Sequence, residues 1–404
     1  MKSVYKFENG LILIYERKKV KTTSLVVNVN VGSINETKKE KGIAHLVEHL
    51  VFKSSKKYTT DEITKKFDIT GGYNNAFTTY DMTNFYFTVP HEYFEDSTEL
   101  LSNILFDKNI SEEEFEKEKS VVIQELNNYK DDIDSVAFDF YTKIFWDIEP
   151  IVGYEETLSK IKLKDVYKFM KTYYQPSNMV ISVCSSLPAR KIFKTVYKYF
   201  SMPSNNDYIP KKEKVWKKYS KKIKRNLYAE TKPQKKFSND LSIIGLSCKD
   251  KNPIIQTVIG NILTTSSSSI LFQELREKLG LIYGIHRDTV FIPNTSIDEM
   301  LLIASTNKKN TKKFISNIKK IFENIDSLIT EDNLTIIKNK MKCKEYTSSD
   351  YAFFNLNFYR DEYFPLKYTV KKYEKDILKV KLEEVKSEII TLLDPDNICS
   401  LVLK

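Results

Sequence analysis

Long apolar runs, cysteine and histidine are all scarce in this chain of 404 residues. No stretch approaches the roughly 18 consecutive apolar residues of a membrane-spanning helix, so no membrane span is expected. The opening Met1-Lys-Ser-Val-Tyr-Lys-Phe has no apolar signal core. Export by the usual route is therefore not expected, and the expected location is the cytoplasm. The four cysteines, Cys184, Cys248, Cys343 and Cys399, match neither a metal-binding spacing nor the framework of a small disulfide-rich domain. Free thiols in a reducing compartment follow. A general excess of one charge is also missing. Of the net charge of +10, the stretch 211–225 (KKEKVWKKYSKKIKR) carries +8, which leaves the rest nearly neutral. That excludes a chain built throughout for nucleic acid and leaves one basic strip, read as a solvated linker.

With 41% hydrophobic and 29% charged residues, the composition is that of a folded globular protein. At roughly 150 residues per domain the length predicts two or three domains. The boundary falls in the basic strip, giving an N-terminal domain 1–208, a linker 209–225 and a C-terminal domain 226–404. Asn9-Gly10 is a turn signal between Phe7 and a strand over Leu11–Tyr15, and Leu25–Val31 alternates as a second strand. Thr59-x-x-Glu62 and Ser111-x-x-Glu114 are capping boxes that open helices. Met179–Cys184 is apolar and partly β-branched, as a central strand is. In the second half, Leu241–Cys248, Leu281–His286, Met300–Ser305 and Ile398–Leu403 predict strands, with helices over Ile254–Leu263 and Ile270–Leu279. The order of elements is similar in the halves, although no strong repeat links them.

The chain has four histidines, and two fall in His45-Leu-Val-Glu48-His49. Positions i and i+4 share a helix face, so both imidazoles can reach one ion. The surrounding segment Gly42–Phe52 is otherwise apolar almost all round and must be buried. Two buried histidines beside a buried glutamate are costly without a metal or a partner. Glu48 points roughly 100° away from His49 around the helix, and can still act on water held by such an ion. Catalytic zinc usually takes three protein ligands. The third is sought in the helix after Ser111, where Glu118 and Glu125 stand seven residues apart on one face. They are too far apart to bind one ion together, so one is a ligand and the other holds a ligand in place. Glu125 follows the apolar Val121-Val122-Ile123, whereas Glu112, Glu113 and Glu116 read as a solvated face.

With these residues in view, the sequence resembles the pitrilysin and mitochondrial processing peptidase family of inverted-motif zinc peptidases, specifically its half-length bacterial-type members. The likeness runs through Val31-Gly32-Ser33-x-x-Glu36, Gly42–Ser54, Gly71-Gly72-x-x-Asn75-Ala76-x-Thr78, Glu118 with Glu125, and Tyr174-x-Pro176-x-Asn178-Met179. It continues in Leu271-Phe272-Gln273-Glu-Leu-Arg276-Glu-Lys-Leu-Gly280-Leu-Ile-Tyr283. The family's Gly-rich loop before Leu271 reads Thr264–Ser269 here, and Asn178–Cys184 runs into Ser185-Ser186-Leu187-Pro188.

The resemblance implies an α+β fold of two similar domains, each a mostly antiparallel sheet flanked by helices. It implies one zinc ion per chain held by His45, His49 and Glu125, with Glu48 as general base and Glu118 supporting the site. Asn75 and Ala76 fall on the family's edge strand, where an extended substrate adds as a further strand. Arg276 and Tyr283 match the pair that reaches substrate from the second domain, Tyr283 at the developing oxyanion and Arg276 at a peptide carbonyl. The function implied is a zinc endopeptidase acting on peptides or unfolded segments. A dedicated leader- or precursor-processing enzyme and a non-catalytic scaffold of the same fold are the alternatives. Both halves of the machinery stand in this chain, so a homodimer is expected, with a heterodimer of related chains as the other arrangement. Nucleic-acid binding through 211–225 is the rival reading, supported only by Trp216 and Tyr219 among the lysines.

Overall fold

The computed structural model describes residues 2–204, 224–233, 235–248, 251–292, 297–349 and 376–404. The basic strip 211–225 lies outside them apart from Lys224 and Arg225. The described residues form two compact units. The first is built from residues 2–127 and 149–204, the second from 128–148, 224–347 and 376–404.

In the first unit β1 (Lys2–Lys6), β2 (Ile12–Arg17), β3 (Thr22–Val29), β4 (Tyr73–Thr78), β5 (Thr83–Pro90) and β6 (Met179–Ser185) make one sheet, ordered β1-β2-β6-β3-β5-β4. Only β2 and β6 run parallel. Every residue of β6 is buried, as the apolar run Met179–Cys184 predicts for a strand covered on both faces. Around the sheet lie α1 (Ile43–Val51), α2 (Thr60–Asp68), α3 (Phe94–Phe106), α4 (Glu112–Tyr129), α6 (Leu163–Tyr173) and α7 (Ala189–Phe200). Both capping boxes form: Glu62 N donates to Thr59 Oγ1 at 3.3 Å, and Glu114 N to Ser111 Oγ at 3.1 Å.

The second unit has β7 (Leu227–Thr231), β8 (Asn239–Ser247), β9 (Ile282–Phe291), β10 (Asp298–Asn307) and β11 (Ile398–Leu403), ordered β7-β11-β8-β10-β9. Among the helices that follow β8 are α8 (Pro253–Thr264), α9 (Thr311–Glu323), α10 (Glu331–Ser349) and α11 (Leu382–Leu392), and a further helical segment, Ile270–Lys278, carries Phe272 and Arg276. This order repeats that of β2-β6-β3-β5-β4 strand for strand, with the outermost pair parallel and the rest antiparallel. The units are thus two versions of one topology, and β1 is an addition to the first. Helix α5 (Ile133–Tyr141), although it follows α4 directly, packs on β8 and β11 of the second unit. Its Tyr141 hydroxyl donates to Glu299 Oε2 at 2.8 Å. Arg225, the last residue of the basic strip, is not a solvated charge, because it pairs with the same buried Glu299. Gly245 makes room for this cluster: a Cβ there would lie 1.7 Å from the Tyr141 hydroxyl.

The position of α1 governs everything about the site. All of its residues except His49 are buried, and each of its larger aliphatic side chains contributes roughly 1.5–3 kcal/mol on burial. Gly42, its N-cap, has φ of 95°. A Cβ at Gly42 would stand 2.7 Å from the Val152 carbonyl oxygen and 2.9 Å from Leu158 Cδ2. Gly42→Ala is therefore expected to cost about 2 kcal/mol or more. Urea unfolding should show a lower midpoint, and a wild-type midpoint would contradict this packing. Among the described residues no helix is long and apolar enough to cross a membrane.

Candidate metal centre

Helix α1 presents His45 and His49 one turn apart, with ring centroids 4.7 Å from each other. Helix α4 lies against them. Its Glu125 Oε2 is 3.9 Å from His45 Nε2 and 3.3 Å from His49 Nε2. One ligand atom from each of His45, His49 and Glu125 lies within 4.8 Å of the others, and this is the only such group among the described residues. Glu118, two helical turns before Glu125, meets the opposite side of the His49 ring, where Nδ1 donates to Oε1 at 3.0 Å. One imidazole thus spans the gap between the two carboxylates. The seven-residue spacing places Glu118 at Nδ1 and Glu125 at Nε2.

The electrostatics suit a cation. Burial, and then His49, push the His45 imidazole down to about 4 in the metal-free protein. At neutral pH it is an uncharged base with a lone pair to give. Its buried Nδ1 has no hydrogen-bond partner among the described residues. Burial works against charge on His49 too, but the hydrogen bond to Glu118 and the carboxylates of Glu48 and Glu125 raise its pKa overall. Burial also raises Glu48, with a hydrogen bond from Thr78 opposing it. Two imidazoles and a carboxylate are a donor set that zinc takes. The residues present fit zinc.

Neighbouring groups hold this arrangement. The Thr78 hydroxyl, at the end of edge strand β4, donates to Glu48 Oε2 at 2.6 Å. Asn75 and Ala76 lie on the same strand, which pairs only with β5 among the described residues. At the start of α1, the buried Glu36 carboxylate accepts from Gly42 N at 3.1 Å and Ala44 N at 2.8 Å. At its end, the buried Lys108 ammonium donates to Val51 O at 2.7 Å and Lys53 O at 2.6 Å. An acidic group thus sits at the N-terminus of the helix and a basic one at its C-terminus, the polarity its dipole favours, although burial pushes Glu36 up to about 8 and Lys108 down to about 7. Lys53 Nζ is 2.7 Å from Glu118 Oε2. Thr78, Lys53 and Lys108 carry no sequence signal for these roles, since each reaches its partner across 30 residues or more of chain.

In the second unit, the Arg276 guanidinium stacks 4.6 Å from the Phe272 ring centroid and 5.1 Å from that of Tyr283. Tyr283 is 85% exposed on edge strand β9, so it is no core aromatic. The two residues are brought together. His91 is satisfied within the first unit by Thr23 Oγ1 at 2.8 Å and the Val20 carbonyl at 2.9 Å, and has no part in the metal site.

Comparison with known proteins shows the family. The sequence profile of the insulinase family (peptidase family M16) matches residues 12–153, and that described as the peptidase M16 inactive domain matches 160–341. An uncharacterized zinc protease of Rickettsia bellii is 29% identical over 370 residues, covering 87% of this chain and 88% of that protein. The zinc protease YmxG of Bacillus subtilis is 30% identical over 287 residues, 70% of this chain and 68% of that one. The crystal structure of a protease from Helicobacter pylori superposes with a TM-score of 0.87 at 22% identity, covering 100% of this chain and 99% of that one. On the profiles, the relatives and the shared fold, this chain belongs to the insulinase family, peptidase family M16.

Proposed function

We propose that this chain is a zinc-dependent endopeptidase that hydrolyses peptides or unfolded segments. The observation that carries the reading is the convergence of His45, His49 and Glu125 on one point, beside a buried Glu48 oriented by Thr78. Those three residues would hold one zinc ion, and when bound it supplies Lewis-acid polarisation of the scissile carbonyl and of water. The Glu48 carboxylate takes the proton of the attacking water and returns it to the leaving nitrogen. Burial lifts its basicity above that of an exposed glutamate, which suits that exchange near neutral pH. Glu118 keeps the His49 proton on Nδ1 and so leaves Nε2 as the donor atom.

The exposed edge of β4, with Asn75 and Ala76, accepts an extended substrate as an added strand, ending where Thr78 meets Glu48. Backbone pairing of this kind favours substrates without fixed structure. For Tyr283 and Arg276 we propose contact with substrate, Tyr283 as a hydrogen-bond donor to an oxyanion and Arg276 as a donor to a peptide carbonyl. Their mutual stacking and the exposure of Tyr283 support this use. Because one chain carries the whole set, the working form we propose is a homodimer rather than a pair of specialised chains.

Metal removal tests the reading. Treatment with a chelator followed by desalting should abolish cleavage of unstructured peptides, and one equivalent of zinc per chain should restore it. Full activity in a preparation shown to contain no metal would contradict it.

A further inference from the structure

We propose that Lys53 is a positioning residue for His49, acting through Glu118. The inference rests on the reading of this site as a zinc centre. Lys53 lies just beyond the end of α1, and its Nζ is 2.7 Å from Glu118 Oε2. The other oxygen, Oε1, is 3.0 Å from His49 Nδ1. Each carboxylate oxygen therefore has its own partner, and the plane of Glu118 is held from both ends. A carboxylate so held accepts from Nδ1–H in one direction only, which fixes the His49 tautomer and aims Nε2 toward Glu125 Oε2, 3.3 Å away.

The two imidazoles differ in this respect. His45 Nδ1 is buried with no hydrogen-bond partner among the described residues, whereas His49 Nδ1 is held by Glu118. The geometry of the donor set depends on His49, and that of His49 on Glu118 and Lys53. Lys53 is itself placed with care. Its carbonyl, with that of Val51, receives the buried Lys108 ammonium, so the backbone from which the side chain extends is pinned. The pair is not a surface ion pair, since the side chains of Lys53 and Glu118 are only 26% and 10% accessible. Lys53 also offsets one of the three carboxylates, Glu48, Glu118 and Glu125, that gather round the histidines.

The test is the zinc dissociation constant, measured by competition with a chromophoric chelator, with thermal unfolding followed in parallel. Lys53→Met should weaken zinc binding roughly 10-fold, the lower end of what loss of a group supporting a ligand costs. Lys53→Arg keeps the charge and two donors, and should stay within about threefold of wild type. In a Glu118→Gln background, Lys53→Met should change affinity by less than about twofold, because its route to His49 is already cut. Should Lys53→Met unfold, Lys53→Gln set against Lys53→Arg carries the same comparison. Wild-type affinity in Lys53→Met, or an equal loss in the Glu118→Gln background, overturns the inference while leaving the zinc site intact. A wild-type protein that binds no zinc overturns the reading of the site and this inference with it.

Discussion

Replacing Glu48 with glutamine is expected to lower peptide turnover by roughly 10²–10⁴-fold while zinc stays bound, the range for loss of a positioned general base. Glutamine has the same shape and still accepts the hydrogen bond that Thr78 gives Glu48. What it lacks is a site for the proton of water. The residues proposed to hold the metal, His45, His49 and Glu125, are untouched. Steady-state hydrolysis with metal content measured on the same sample separates the two effects. Turnover within a few-fold of wild type in zinc-loaded Glu48→Gln would remove Glu48 from the mechanism.

The second large effect concerns the two carboxylates of α4. Glu118→Gln should weaken zinc roughly 10–100-fold, the cost of losing a group that orients a ligand. Glu125→Ala should weaken it further, because a donor atom itself is lost. The reason lies in which nitrogen each faces: Glu118 is at His49 Nδ1 and Glu125 at Nε2. Zinc titrations of the two variants rank them. A larger loss for Glu118→Gln than for Glu125→Ala would reverse the assignment. The Glu125 side chain is 36% exposed, so its truncation should leave the fold intact.

Sequence and structure meet most closely where local chemistry decides. The motif on α1 was legible because two of four histidines at i and i+4 sit in an otherwise apolar helix, and that helix is buried as its composition requires. The capping boxes at Thr59 and Ser111 form because both partners lie within three residues. Helix spacing brought Glu118 and Glu125 to one face, although only contact with His49 distinguishes them.

The edge strands were harder. β1 and β7 have mixed, partly charged sequences, and β7 falls next to the stretch read as a boundary. Such strands are defined by pairing with β2 and β11 rather than by their own pattern. The repeated topology was hidden for a related reason: strand order depends on which edges pair, and many sequences satisfy the same pairing. Alternation also fails at β9. His286 would face away from Tyr283 in a regular strand, yet the register shifts opposite Ala304 and Thr306, Ile282 and Ile285 are both buried, and Tyr283 and His286 are both exposed. Thr78, Lys53 and Lys108 act over distances in the chain that no spacing rule reaches.

Whether these residues cut peptide bonds is decided on peptides themselves. A mixed library of unstructured peptides of about 10–30 residues, long enough to pair along the six-residue edge strand β4, is incubated with zinc-loaded wild type and with Glu48→Gln, and the products are read by mass spectrometry. Internal cleavage by the wild type, and none above background by the variant, is the expected result. Equal product from both, or none from either with stoichiometric zinc bound, would contradict it.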